Sequence, residues 1–171
     1  MKAEHCYTPT TINCKELSAW ALKEASSSER KNDYSNIWLY DGIFLDHETA
    51  YNYCPELKLI NNVVEIEHFQ VFRMKSGDYY RLHKDRTRGV AMNILLSSVD
   101  SVCLFMHPNI PTSAIKLDYQ PNIVYLFNTQ APHAVFNFSG SRYLMSIHFK
   151  RDMRSLSYNL LRDIVSDLNL V

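Results

Sequence analysis

The stretch YYRLHKD, residues 79–85, places a histidine and a carboxylate two positions apart. Side chains alternate between the two faces of an extended strand, so His83 and Asp85 are expected on one face together with Arg81. Tyr80 is expected on the opposite face. Two side chains that leave a strand in the same direction can bind one metal ion, whereas the other interpretation is an ordinary solvated strand face.

A second histidine, His133, follows a proline at the start of another strand-like run, and Arg142 comes nine residues later, after the turn SGS. Two histidines and one carboxylate can occupy one face of an octahedral iron ion and leave the other face open for substrate and oxygen. Arginine suits a different task, because its planar fork binds a carboxylate through two parallel hydrogen bonds. The pattern therefore favours a metal site with a carboxylate-binding site beside it.

These motifs resemble those of the Fe(II)/2-oxoglutarate-dependent oxygenases of the prolyl 4-hydroxylase type. VFRMKSGDYYRLHKD is similar to the strand, glycine turn and strand that carry the HxD motif in that family, and RGVAMNILLS is similar to the strand that follows. NIVYLFNTQAPHAVFNFSGSRYLMSIHF is similar to the closing segment, where an arginine follows the distal histidine. The resemblance covers residues 63–149, about half of the chain.

The resemblance implies that His83, Asp85 and His133 bind Fe(II) and that Arg142 binds the distal carboxylate of 2-oxoglutarate. It implies a dioxygenase that decarboxylates 2-oxoglutarate to succinate and hydroxylates a C–H bond, with O2 as the other cosubstrate. Ascorbate is compatible with it as an accessory reductant. The favoured substrate is a peptidyl proline, aspartate or asparagine, while a free amino acid, another small metabolite or a modified nucleobase stays open.

The resemblance also extends to the cosubstrate pocket, where Ser146 and Asn93 are placed as further cosubstrate-binding residues. Two positions depart from the family pattern, because Met74 and Leu95 stand where some members carry cosubstrate-binding tyrosines. Three other tyrosines are candidates to compensate: Tyr79, Tyr80 and Tyr125.

Eight short strand-like runs follow one another between residues 63 and 149, separated by turn-rich segments such as KSGD, SSVD and SGS. Runs at this spacing predict an all-β sandwich or barrel rather than alternating strands and helices. The resemblance narrows this to a double-stranded β-helix, which is a cupin-like jelly roll. We expect one domain over residues 1–171, with the barrel at its core.

Helices are predicted on both sides of the barrel. Asn13 is a candidate cap for a helix over residues 13–26, and an apolar stripe predicts a second helix over 151–168. Between them, SSSERKNDYSN is typical of an exposed loop.

Two further segments precede the barrel. IWLYDGIFL predicts a strand or two with a turn at Asp41-Gly42, and residues 46–62 are ambiguous between a short helix and a loop.

The composition is that of a folded, neutral protein: 46% of the 171 residues are hydrophobic, and the formal net charge is zero. Zero net charge gives no global electrostatic reason to bind nucleic acid or an anionic membrane. No apolar run approaches the roughly 18 residues of a membrane span, so we expect a cytoplasmic protein. The cysteines form no CxxC pair and are expected to be reduced, buried thiols: Cys6, Cys14, Cys54 and Cys103.

Other functions remain open from the sequence. A non-catalytic cupin-like binding module would retain the barrel, and a cupin enzyme that does not use 2-oxoglutarate would retain the metal ligands. Zinc hydrolysis is less favoured, since an anion-binding arginine beside the triad suits redox iron better. Arg86 and Arg88 either solvate a loop or contact substrate. The remaining histidines lack partners at ligand spacing: His5, His47, His68, His107 and His148.

Overall fold

A computed structural model of the chain describes residues 2–27, 41–107, 109–150 and 154–171. Ten strands run through these residues: β1 (Tyr7–Asn13), β2 (Asp41–Leu45), β3 (Ile66–Met74), β4 (Tyr79–His83), β5 (Ala91–Leu95), β6 (Ser101–His107), β7 (Ile110–Leu117), β8 (Ile123–Phe127), β9 (His133–Asn137) and β10 (Arg142–Phe149). The described α-helices are α1 (Lys15–Ser27), α2 (His47–Tyr53), α3 (Pro55–Val63) and α4 (Tyr158–Asp167). None of them is long and apolar enough to cross a membrane.

The strands form two antiparallel sheets. The larger has the order β1-β8-β5-β10-β3-β2, and the smaller has the order β4-β9-β6-β7. All eight strands predicted between residues 63 and 149 are present as β3 to β10, so the predicted mainly β jelly roll with flanking helices is confirmed. That the whole chain forms one domain stays a prediction.

Side chains alternate between the two faces of β3. One face packs against the helices, and the other faces the interior of the jelly roll. Phe69 and Val71 are buried in one apolar cluster with residues of all four helices, such as Leu17 of α1. Gln70 and Phe72, on the other face of the same strand, line a cavity between the sheets. Because side chains alternate with a period of two, one face of the larger sheet packs in the apolar core and the other face lines the site.

The start of the chain differs from the prediction. Asn13 pairs with Ile123 as the last residue of β1, and α1 begins two residues later, where the backbone carbonyl of Cys14 accepts a hydrogen bond from Ser18 N. The predicted Asn13 cap is therefore wrong, because pairing with β8 keeps this residue in a strand. β1 itself was not predicted.

Two of the four cysteines form a disulfide, which joins Cys14, before α1, to Cys54, before α3. Their Cα atoms lie 5.7 Å apart, within the usual range for a bridge. The prediction of four reduced thiols is wrong for this pair. Cys6 and Cys103 are free and buried, as predicted.

The segments before the barrel also correct the predictions. Asp41 and Gly42 pair with β3 inside β2, so the predicted turn there is wrong. Residues 37–40 of that run, and the predicted loop from residue 28 onwards, lie outside the described residues. The ambiguous stretch 46–62 forms two helices, and the carboxylate of Asp46 caps α2 by accepting a hydrogen bond from Thr49 N at 2.8 Å.

The closing helix is shorter than the predicted 151–168. It begins at Tyr158, where the side chain of Ser157 accepts a hydrogen bond from Leu160 N. A serine cap satisfies a free amide at the helix start, which explains why the helix begins there. Residues 151–153, including Met153 of the predicted apolar stripe, lie outside the described residues.

Asn137, at the end of β9, connects the turns that precede the two strands of the site. Its Nδ2 donates to the carbonyl oxygens of Met74, Lys75 and Gly140. Its own carbonyl accepts a hydrogen bond from Gly77 N, and Gly77 has a φ of +85°, a conformation that favours glycine. These contacts fix where β4 and β10 begin.

Candidate metal centre and carboxylate pocket

The smaller sheet brings the three predicted metal ligands together. β4 pairs with β9, and His83 and His133 stand directly opposite each other in this pairing. Asp85 follows β4 by two residues. Ligand atoms of the three side chains all lie within 4.8 Å of one another, and His83 Nε2 is 3.5 Å from Asp85 Oδ1.

Backbone carbonyls set the tautomer of both histidines. His83 Nδ1 lies 2.8 Å from Arg81 O, and His133 Nδ1 lies 2.9 Å from Ala131 O. A carbonyl oxygen only accepts hydrogen bonds, so each Nδ1 carries the proton and each Nε2 carries a lone pair. A hydrogen bond from the other ring nitrogen to a carbonyl oxygen is typical of metal-ligating histidines.

The charges of the triad also suit a divalent cation. Burial, reinforced by the charge of His83, lowers the pKa of His133 from 6.5 to about 4, so its ring is neutral near pH 7. Burial acts to raise the pKa of Asp85, but its contact with His83 and the charge of Arg88 outweigh burial and lower that pKa. Two imidazoles and one carboxylate fit the ligand preferences of iron(II).

A cavity of about 400 Å³ extends from the triad to the facing sheet. Arg142 lines it from the start of β10 and is only 4% exposed. Its Nε has no hydrogen-bond partner, and no carboxylate among the described residues pairs with its guanidinium. The ring of Tyr119 lies 5.7 Å from the guanidinium carbon. A buried arginine without a counter-ion is suited to bind an anion that enters the cavity.

No protein-family profile and no curated protein matches the sequence. Solved structures do match. A prolyl-4-hydroxylase from Pseudomonas putida gives a TM-score of 0.64 at 16% identity, over 87% of this chain and 94% of that one. A prolyl hydroxylase from Trichoplax adhaerens, in complex with a peptide fragment of the hypoxia inducible factor oxygen degradation domain, gives 0.62 at 16% identity, over 85% and 83%. The viral collagen prolyl hydroxylase of Paramecium bursaria Chlorella virus-1, in its 2-oxoglutarate complex, gives 0.59 at 16% identity, over 82% and 93%.

The chain has the fold of these hydroxylases. In this double-stranded β-helix, Asn93 and Ser146 stand opposite each other in the pairing of β5 with β10. Asn93 lines the cavity near Arg142, and its Nδ2 donates to the hydroxyl of Tyr119 at 3.4 Å. Ser146 lines the cavity too, but its hydroxyl accepts a hydrogen bond from Arg88, at 3.4 Å.

One of the three tyrosines named from the sequence, Tyr80, lines the pocket, and the other two do not. Tyr79 is 60% exposed and stacks on Phe136 outside the cavity. The hydroxyl of Tyr125 accepts a hydrogen bond from Gln120 N. Tyr80 and Tyr119 line the cavity instead. No pattern in the sequence indicated Tyr119, because only the fold brings it beside Arg142.

Tyr80 reaches the cavity because β4 is irregular. The pairing with β9 shifts between Tyr80 and His83, and the two rings meet edge to face at 3.9 Å between centroids. Strict alternation would place these two side chains on opposite faces. The bulge therefore overturns the predicted position of Tyr80 and adds an aromatic wall to the metal site.

Arg88 and His148 lie closer to the metal site than the sequence indicated. Arg88 forms an ion pair with Asp85, and its Nη1 lies 2.6 Å from His148 Nε2. His148 shares a strand face with Arg142 and Ser146, and this shared face is the feature of the sequence that could have indicated its position near the site. Arg86, in contrast, is exposed.

Proposed function

We propose that the protein is an Fe(II)- and 2-oxoglutarate-dependent hydroxylase. The observation that carries this proposal is one cavity bounded by His83, Asp85 and His133 on one sheet and by the buried, unpaired Arg142 on the other. Burial of a lone guanidinium costs several kcal/mol unless an anion accompanies it. A dicarboxylate can chelate the metal at one end and pair with Arg142 at the other, so it matches the chemistry of both walls of the cavity.

Bound Fe(II) supplies the activation of O2, with 2-oxoglutarate and O2 converted to succinate and CO2 as one oxygen atom enters a substrate C–H bond. The residues of the chain hold the reactants for this reaction. His83 and His133 present Nε2, Asp85 presents Oδ1, and Arg142 orients the distal carboxylate through its fork. We propose Asn93 and Ser146 as additional polar contacts for the cosubstrate.

We propose a peptidyl side chain as the substrate, with proline or aspartate/asparagine as the residue. Phe44, Phe72 and Leu144 line the cavity with apolar surface. Gln70 lines the same region, and its carboxamide makes no hydrogen bond to the described residues. An amide group of a peptide can pair with Gln70 while the side chain packs on the apolar wall. The solved peptide complex of a prolyl hydroxylase supports this choice of substrate class.

Succinate formation tests the proposal. The purified protein is incubated with Fe(II), 2-oxoglutarate and air, with and without arrayed peptides that contain proline, aspartate or asparagine. We expect Fe(II)-dependent succinate that rises with one class of peptide, and a peptide product heavier by one oxygen atom. Both signals should fall to background in His133→Ala. Iron binding without succinate under every condition would favour a binding module.

Arg142→Ala separates this proposal from a cupin enzyme that does not use 2-oxoglutarate. Loss of succinate formation in this variant supports the proposed cosubstrate. A metal-dependent activity that survives the substitution would assign the site to another reaction, because Arg142 is the anchor for the distal carboxylate.

We propose the cytoplasm as the location, on the basis of the sequence composition. The Cys14–Cys54 bridge tests this location, since disulfides are rare in reducing compartments. A bridge that is present in protein whose thiols were trapped inside cells would place the chain in an oxidising compartment.

A further inference from the structure

The two oxygen atoms of Asp85 have different partners. Oδ1 lies 3.5 Å from His83 Nε2, on the side where the ligand atoms converge. Oδ2 accepts a hydrogen bond from Arg88 Nε within an ion pair. The carboxylate is therefore divided between the metal-binding group and a cation three residues further along the chain.

The guanidinium of Arg88 also contacts β10, on the side away from Asp85. Its Nη1 lies 2.6 Å from His148 Nε2 and 3.4 Å from the hydroxyl of Ser146, both on β10. Burial and the charge of Arg88 lower the pKa of His148 to about 2, so the imidazole is neutral and can accept this hydrogen bond. The His148 ring also packs against His68, with centroids 4.2 Å apart. The guanidinium thus connects the loop that carries Asp85 to the larger sheet.

The backbone of Arg88 has separate support. Its carbonyl oxygen accepts hydrogen bonds from Thr129 Oγ1 at 2.6 Å and from Gln130 Nε2 at 2.8 Å. Gln130 Nε2 also donates to the carbonyl of Asp85. None of these bonds uses the guanidinium, so a substitution of the Arg88 side chain should leave the loop in place.

We propose that Arg88 is a positioning residue that binds Oδ2 of Asp85 and so leaves only Oδ1 for the metal. Carboxylates bind metal ions through one or both oxygens. In an octahedral site, His83, His133 and a monodentate Asp85 leave three positions open, whereas a bidentate Asp85 leaves two. A chelating 2-oxo acid takes two positions and O2 takes one, so the function proposed above, on which this inference rests, needs Asp85 to stay monodentate.

Cobalt(II) is a suitable probe because its visible d–d spectrum responds to the ligands and the geometry around the ion without any turnover. The unaltered protein and Arg88→Ala are titrated with Co(II) and then with 2-oxoglutarate. We expect Arg88→Ala to bind Co(II) with a changed d–d spectrum. Its affinity for 2-oxoglutarate should fall, because the released Oδ2 competes with the chelating group for a coordination position; we expect a loss of roughly 10- to 100-fold, the range that removal of a residue bonded to a metal ligand has on metal sites. Arg88→Lys should recover part of the unaltered spectrum and part of the 2-oxoglutarate affinity. Its ammonium group can pair with Oδ2 but lacks the planar, forked shape of the guanidinium.

Arg86→Ala is the matched control, because it removes the same charge from an exposed position two residues away. It should behave like the unaltered protein. If Arg88→Ala and Arg88→Lys both retain the unaltered spectrum and 2-oxoglutarate affinity, the inference is wrong while the metal site stands. If Arg88→Ala does not fold, Arg88→Met replaces it, and an unaltered spectrum and 2-oxoglutarate affinity in that variant overturns the inference. If the unaltered protein binds no Co(II), the proposed function and the inference both fail.

Discussion

Replacing Arg142 by methionine should make the metal-free protein more stable while it removes the binding of 2-oxoglutarate. The side chain is 4% exposed, its Nε has no hydrogen-bond partner, and no described carboxylate pairs with it. A buried charge of this kind is retained at a cost in folding free energy. Methionine has a similar length and no charge, so Arg142→Met removes that cost without leaving a large void.

The expected gain follows from two opposing terms. Apolar replacement of buried ionic groups is commonly neutral or stabilising by about 1–4 kcal/mol. The contact between Arg142 and Tyr119, at 5.7 Å from the ring centroid, offsets about 1 kcal/mol of the arginine's penalty. We therefore expect a net gain of about 2 kcal/mol. For a chain of this size, that corresponds to a rise in Tm of about 4–8 °C.

Urea unfolding with and without Co(II) and 2-oxoglutarate measures both effects. At a 2-oxoglutarate concentration about 100-fold above its Kd, the unaltered protein should gain about 2.7 kcal/mol. Arg142→Met should gain nothing from the cosubstrate. The control Arg86→Met changes an exposed arginine and should shift stability by less than about 0.5 kcal/mol. The reasoning is refuted if Arg142→Met is less stable than the unaltered metal-free protein, or if 2-oxoglutarate still stabilises it.

Three further predictions concern pH, the disulfide and a turn. The pKa of His133 is about 4 in the folded protein against 6.5 ordinarily, so the unfolded chain binds more protons between these values. The free energy of unfolding of the metal-free protein should therefore fall as pH drops through this window, by about 2 kcal/mol for this residue at pH 5. His133→Leu should make the fall shallower in urea titrations, and an unchanged profile would contradict the assignment. The disulfide between Cys14 and Cys54 closes a loop with a sequence separation of 40, so its reduction should lower the free energy of unfolding by about 4 kcal/mol. Thiol counting under denaturing conditions should give two free thiols without reductant and four with it; four in both would disprove the bridge. Gly77 has a φ of +85° and open space around its Cα, so Gly77→Ala should cost about 1–2 kcal/mol from backbone strain alone, and a neutral effect would argue against that conformation.

Local patterns were sufficient for the barrel and for the triad. Short strand-like runs between turn-rich segments predicted β3 to β10, because the residues that form turns mark where each strand ends. The spacing of His83 and Asp85, with His133 after a proline, predicted three ligands that the pairing of β4 with β9 brings within 4.8 Å. The role of Arg142 was implied by the resemblance to the oxygenase family, in which an arginine follows the distal histidine.

The features missed from the sequence all depend on contacts between distant segments. The bulge that turns Tyr80 into the cavity arises from the pairing of β4 with β9. The position of Tyr119 beside Arg142 depends on the packing of the two sheets. The hydrogen bond from Arg88 to His148 joins a loop to a strand 60 residues away, a relation that no local period encodes.

The iron and 2-oxoglutarate site is tested most directly by anaerobic titration of the purified protein with Fe(II) and then with 2-oxoglutarate. We expect the weak visible charge-transfer band of a chelated iron–2-oxoglutarate complex, and we expect His133→Ala to lack it. Iron that binds without producing this band would contradict the proposed cosubstrate, and a protein that binds no iron would contradict the assignment of His83, Asp85 and His133 as its ligands.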